Sequence, residues 1–141
     1  MNTDKWFDYC GDFIEGTARV KLCEQWNVMK IDTSMLLTDW VDYCEWFAQG
    51  LCRVKDKGKW NYITHQGEYL SKTWFDWVGH FNHGHSRVML DGKWNYMDPK
   101  GNLLSKKWVN YLSEFNGQFA EAIIDGKVFY MDKEGCLHSH G

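Results

Sequence analysis

Tryptophan returns at one fixed interval along this chain: Trp6, Trp40, Trp74 and Trp108, each 34 residues after the last. A strict period of this length constrains folding more than any composition does. Each copy must form the same local structure and bury its apolar face against the next copy. The period divides the chain into units 6–39, 40–73, 74–107 and 108–141, which align without a gap. The whole of 1–141 reads as a single repeat domain. At this length a compact chain buries roughly 68% of its unfolded surface, so a core forms without covalent staples.

The columns of the repeat separate scaffold from variable positions. The third column holds Asp8, Asp42, Asp76 and Asn110, and the eighth holds Phe13, Phe47, Phe81 and Phe115. Gly16, Gly50 and Gly84 share a column that Gln118 breaks. Arg19-Val20, Arg53-Val54 and Arg87-Val88 align, as do Trp26-Asn27, Trp60-Asn61 and Trp94-Asn95. The fourth unit departs from most of these columns, as a terminal repeat does.

The local pattern is β. Ser86–Leu90 alternates, Asp91-Gly92 follows, and Lys93–Met97 alternates again, which is the strongest short-range signal for a hairpin. A two-residue turn fixes the register: Leu90 faces Lys93, Met89 faces Trp94, Val88 faces Asn95 and Arg87 faces Tyr96. One face then carries Arg87 beside Tyr96 and Met89 beside Trp94. In the second unit it carries Arg53 beside Tyr62 and Lys55 beside Trp60, as cation–π pairs. The other face, Ser86, Val88 and Met97, packs on the neighbouring repeat. Asp98-Pro99-Lys100-Gly101 reads as a type I turn. Trp74–Val78 is a short strand or an irregular aromatic stretch.

The run Gly92-Lys93-Trp94-Asn95-Tyr96-Met97-Asp98 through Gly101, followed by Trp-Phe-Asp, Phe, Gly and Arg-Val, resembles the WG-repeat family, also called KWG repeats. The resemblance covers all four units. The family pattern places Gly after the repeat's Trp, where this chain has Asn27, Asn61 and Asn95; asparagine would carry a left-handed or bulged backbone there. The resemblance implies a bacterial or phage protein built of repeating β-hairpins, with no catalytic residues. The stretch Gly-Lys-Trp-Asn-Tyr is also similar to choline-binding cell-wall repeats, whose shorter period does not fit this spacing.

A net charge of −3, with both signs interspersed, gives no pull toward nucleic acid or an anionic membrane. No apolar run is long enough to span a bilayer as a helix. The opening MNTDKWFDYC carries no apolar signal region, and five cysteines without a CxxC pair read as reduced thiols, so a cytoplasmic protein is expected. Cys10 and Cys44 share a column with Val78 and Leu112, which places them in the core.

His80, His83 and His85 lie within six residues, and three imidazoles so close could hold zinc or nickel. Their columns vary freely, however, which favours a solvated loop, and no metal or cofactor is expected. His138 and His140 lie where a chain end frays. The repeated Asp8, Asp42 and Asp76 share one environment, whereas acid–base catalysis needs two carboxylates in different ones. They are expected to bond backbone amides at turns. Arg19, Arg53 and Arg87 are scaffold by the same reasoning.

The expected fold is all-β, with tandem β-hairpin repeats in an open solenoid-like array or a small propeller-like ring. Thr3–Trp6 resembles Ser105–Trp108 at a junction between units, which leaves closure open. The expected function is a non-enzymatic protein–protein interaction module: an adaptor, inhibitor or immunity-type protein. Its binding residues would come from variable columns: Trp46, Trp77, His80, His83, His85 and Phe119. The alternative is a lectin-like module using repeated aromatic clefts for a glycan or nucleotide.

Overall fold

The computed structural model describes residues 7–139. Trp6, the stretch Thr3–Lys5 and His140 lie outside the described residues. Among the described residues there is no helix. Four small antiparallel sheets follow one another along the chain, and none closes into a barrel.

The first sheet joins β1 (Tyr9–Cys10), β2 (Thr17–Leu22) and β3 (Gln25–Lys30). The second joins β4 (Tyr43–Cys44), β5 (Leu51–Asp56) and β6 (Lys59–Thr64). The third joins β7 (Trp77–Val78), β8 (Ser86–Leu90) and β9 (Lys93–Met97). The fourth joins β10 (Tyr111–Leu112), β11 (Ala120–Ile124), β12 (Lys127–Met131) and β13 (Leu137–Ser139). The chain divides into two compact units, Met1–Trp74 and Phe75–Gly141, each carrying two sheets.

The hairpin register is the one the turn demands: Leu90 pairs with Lys93, Met89 with Trp94, Val88 with Asn95 and Arg87 with Tyr96. Both central residues of each turn are left-handed, with φ of 52° and 78° at Asp91-Gly92 and 48° and 81° at Asp125-Gly126. That is the geometry whose twist matches the strands. The first unit forms the same turn from Cys23 and Glu24 at φ 52° and 68°, without a glycine. Each turn is anchored by the third-column side chain, as expected. The amides of Cys23, Lys57 and Asp91 donate to the carboxylates of Asp8, Asp42 and Asp76 at 2.9, 2.8 and 2.7 Å. Asn110 accepts from Asp125 at 2.8 Å in the same way. The Asp98–Gly101 turn also forms, the Gly101 amide donating to the Asp98 carbonyl at 3.0 Å.

The asparagine column departs from expectation. Asn27, Asn61 and Asn95 are absent from the left-handed region and sit unbulged in β3, β6 and β9, fully buried. Each is a clamp on the segment that closes the unit ten residues later. Asn95 Nδ2 donates to the Ser105 carbonyl at 2.9 Å, and its Oδ1 accepts the Ser105 and Tyr96 amides at 3.1 and 2.8 Å. Asn27 holds Leu37, and Asn61 holds Ser71, by the same bonds. The fourth unit has Phe129 in this column, and there the closing segment pairs as an ordinary strand, β13, against β12. The side-chain amide therefore replaces ladder bonds where the closing segment turns away from the sheet.

Two further expectations need correction. Tyr96 and Tyr62 are buried at 2% and 1% exposure, so the face they share with Arg87 and Arg53 is covered as well as the one expected to pack on the neighbouring repeat. Arg53 consequently covers Trp60, at 4.8 Å, rather than Tyr62, while Lys55 does lie over Trp60 at 5.6 Å. Ser86, Val88 and Met97 are buried as expected. Of the cysteines, Cys44 and Cys52 are core, Cys10 is half-buried, and Cys23 and Cys136 are exposed; all five are free thiols. The Trp74–Val78 segment is a two-residue strand, β7, behind an irregular start.

Each compact unit ties its repeats by backbone bridges. In the first, Trp26 and Val41 exchange both hydrogen bonds, at 2.7 and 2.9 Å; in the second, Trp94 and Val109 do so at 2.7 and 3.0 Å. Glycine makes the close approach possible: a Cβ on Gly135 would stand 2.0 Å from the Leu104 carbonyl oxygen.

Candidate functional site

Two clusters carry the chemistry that the scaffold leaves at its surface, one in each compact unit. In the first unit, strand alternation turns Arg19 and Lys21 of β2 away from buried Ala18 and Val20. The Arg19 guanidinium lies 4.8 Å from the centre of Trp26, 5.3 Å from Trp46 and 5.7 Å from Tyr9. Its Nη1 donates to the Cys44 carbonyl at 3.1 Å, so the arginine also braces the next strand, the scaffold role expected of it. The rings run on as Tyr9, Trp26, Tyr43 and Trp60, with successive centres 5.7, 5.9 and 6.1 Å apart. Arg53 is held over Trp60 by a bidentate pair with buried Glu45, at 2.9 and 2.7 Å. Burial, and then the Glu45 charge, push the Tyr43 phenol above its ordinary pKa. Trp46 is 46% exposed and Tyr9 44%. Trp46 owes its exposure to its column, which holds Asp12, His80 and Glu114 elsewhere: it stands on a loop position built for a solvated side chain.

In the second unit the same face is altered. Trp77 meets Trp94 edge-on at 5.7 Å, and Arg87 lies 5.5 Å from Trp94. Arg87 Nη1 donates to the Leu112 carbonyl at 3.0 Å, as Arg19 does to Cys44. Where Arg19 covers Trp46, Arg87 instead pairs with Glu114 at 3.1 Å. Beside this pair lie two adjoining cavities of about 350 and 390 Å³. Trp77 and His80 line the second, His83 the first, and His85 both. The structure thus brings four of the expected binding residues together. Trp46 belongs to the cluster in the other compact unit. Phe119, 44% exposed, stands apart from the cavities with its edge to Tyr130 and His138.

The histidines occupy unlike settings. His83 sits at the tip of a tight turn with φ 54°, and His80 is exposed. His85 packs against Tyr96 and Phe115, and its Nδ1 is shielded from solvent without a hydrogen-bond partner. Burial, and then the Lys133 charge, hold its imidazole below the ordinary pKa. Among the described residues no three His, Cys, Asp or Glu side chains come together as a metal site. The Cys52 thiol is pushed strongly upward by the neighbouring Cys44 thiol and by burial, the opposite of an activated nucleophile. Glu114 and Lys133, which line the first cavity, were not expected from sequence. The signal for Lys133 was present: its column holds Ile31, His65 and Pro99, so the cation is unique to the last unit.

The chain matches the WG-containing repeat family over residues 7–26 and 62–94. No curated protein matches it. Among solved structures it is similar to Kluyvelomyces marxianus Hsv2, at 14% identity and a TM-score of 0.44 over 87% of this chain and 49% of that one. It is similar to KlHsv2 with loop 6CD replaced by a Gly-Ser linker, at 6% identity and a TM-score of 0.44 over 87% of this chain and 47% of that one. It also resembles a protein of unknown function from Bacteroides caccae, at 13% identity and a TM-score of 0.36 over 91% of this chain and 57% of that one. The chain spans about half the length of these structures. With its 34-residue period, its recurring hairpins and these two matched segments, the chain is a β-hairpin repeat protein that is similar to the WG-containing repeat family over residues 7–26 and 62–94.

Proposed function

We propose that this chain is a non-enzymatic module that binds a protein partner through the face of Tyr9, Arg19 and Trp46, in a bacterial or phage cytoplasm. The observation that carries the reading is one guanidinium over three rings, two of them nearly half exposed. Trp, Tyr and Arg are the residue types that dominate interface energetics, and here they are pre-assembled, which lowers the ordering cost of association. Trp46 also breaks its column, as a residue selected for contact rather than scaffold does. A lectin-like module has weaker support. The aromatic pairs do recur, but the cations Arg19 and Lys21 lie over Trp26, and Arg53 and Lys55 over Trp60, faces that a sugar would need.

The test is affinity capture from bacterial lysate by the wild-type chain and by Trp46→Ala. The reading expects one stoichiometric protein, lost with Trp46→Ala while the thermal transition stays in place. A partner retained by Trp46→Ala would overturn it.

A further inference from the structure

In the first compact unit one corner of the repeat is closed from inside by a carboxylate. Glu15 accepts the Gln49 and Gly50 amides at 2.8 and 3.1 Å and lies 3.1 Å from His65 Nε2. His65 stacks flat on Phe47, with ring centres 4.0 Å apart. Two periods of 34 residues later the same corner recurs within the second unit. There His83 takes the column of Glu15, Gly117 that of Gln49, Phe115 that of Phe47, and Lys133 that of His65.

The backbone is kept, and Lys133 stands in the column of His65. His83 has φ 54° where Glu15 has 53°, and Gly117 has φ 71° where Gln49 has 55°. The Lys133 ammonium lies 4.4 Å over the Phe115 ring, as His65 lies on Phe47. One feature of the turn differs: Gln118 lacks the left-handed φ of Gly50, so the peptide between Gly117 and Gln118 is turned over, and the Gly117 amide alone keeps its equivalent direction.

The carboxylate is what has gone. In place of the Glu15 side chain stands the cavity of about 350 Å³, with Gly117, Lys133, His83 and His85 around it. Glu114 also lines it, but that acid is engaged by Arg87 at 3.1 Å. Among the described residues no carboxylate lies within ion-pairing distance of Lys133. His85 gives a second sign of an unfinished corner. Thr17, in the same column, donates its hydroxyl to the Ile14 carbonyl at 3.1 Å, whereas His85 Nδ1 is buried without a partner.

We propose that this corner binds an external carboxylate on a short flexible stem, the chemistry of a glutamate side chain or a short dicarboxylate. The Gly117 amide and the Lys133 ammonium receive the anion, and Phe115 and Tyr96 pack against the stem. A cavity of this size suits such a ligand, and charge-assisted hydrogen bonds supply the recognition. The inference rests on comparison of the two corners and is independent of the protein-partner reading.

The test titrates the isotope-labelled full chain with glutarate, and separately with inorganic phosphate, while the Gly117 amide and Lys133 resonances are followed. Glutarate shifts both. Lys133→Met weakens the response roughly tenfold or more. His83→Glu, which restores the internal carboxylate, abolishes it and moves the Gly117 amide without ligand. The proposal is overturned if glutarate gives no shift up to roughly 50 mM, a range that reaches even fragment-sized ligands. It is equally overturned if both variants respond like wild type, or if phosphate shifts these resonances as strongly as glutarate.

Discussion

Asn95→Ala removes a clamp whose partners can be counted. Asn95 is fully buried and Ser105 is 6% exposed. Substitution strips three backbone groups of their partners: the Tyr96 amide, the Ser105 amide and the Ser105 carbonyl. Each buried polar group left unpaired costs about 1–3 kcal/mol. A water entering the space vacated by the amide recovers part of this, since the site is polar on three sides. A loss of about 3–6 kcal/mol follows, a large share of the roughly 5–15 kcal/mol that holds a domain together. Urea unfolding followed by tryptophan fluorescence reads the global effect. Hydrogen exchange at the Ser105 amide reads the local one, which matters because two compact units need not unfold together. A loss under about 1 kcal/mol with the Ser105 amide still protected would refute the clamp, since that outcome lies below the cost of a single orphaned group.

Other consequences are open to measurement. Glu24 occupies at φ 68° a turn position that is glycine in the other three units, so Glu24→Gly raises stability by about 1 kcal/mol. The exposed 3.9 Å contact with Lys21 contributes little to offset this, and an unchanged or lower urea midpoint would count against the strain. Gly135→Ala drives a Cβ to 2.0 Å from the Leu104 carbonyl and destabilises by about 3 kcal/mol. Gly126→Ala, at φ 81° with open space around it, loses only about 1 kcal/mol, and equal losses in thermal denaturation would contradict the packing argument. Burial, and then the Lys133 charge, should hold the His85 pKa below the ordinary imidazole value, and an NMR titration reads this. Because its folded pKa is depressed, its contribution to stability is full above the unfolded pKa and is lost as pH falls through the folded one. Lys133→Met removes the second cause of that depression and raises the His85 pKa; a fall would be inconsistent with this electrostatic account.

What the sequence made legible was local or periodic. The Asp91-Gly92 register followed from turn geometry alone, and the third-column acids were correctly assigned to backbone amides, because both depend on residues close in the chain. The asparagine column was misread because its partner lies ten residues away: a local pattern sees Asn in place of Gly and infers a left-handed backbone, while the structure uses the side-chain amide. The burial of Tyr96 was not legible because strand alternation says which side a residue takes, not whether both sides are covered. Trp77, His80, His83 and His85, which line the two cavities, stand out in the sequence because they break or vary their columns. Lys133 was missed, since its meaning appears only when its column is read together with those of Glu15 and Gln49, three separate segments joined in space.

The central claim is that fixed columns hold the fold while the varying Trp46 is surface. It is tested most directly by the urea unfolding free energies of Trp46→Ala and Trp26→Ala. The account predicts Trp46→Ala within about 0.5 kcal/mol of wild type, apart from the contact with Arg19. It predicts a loss of about 3 kcal/mol or more for Trp26→Ala, whose ring packs on the core of the first unit. Losses of equal size would place Trp46 in the scaffold and remove the basis for the proposed binding face.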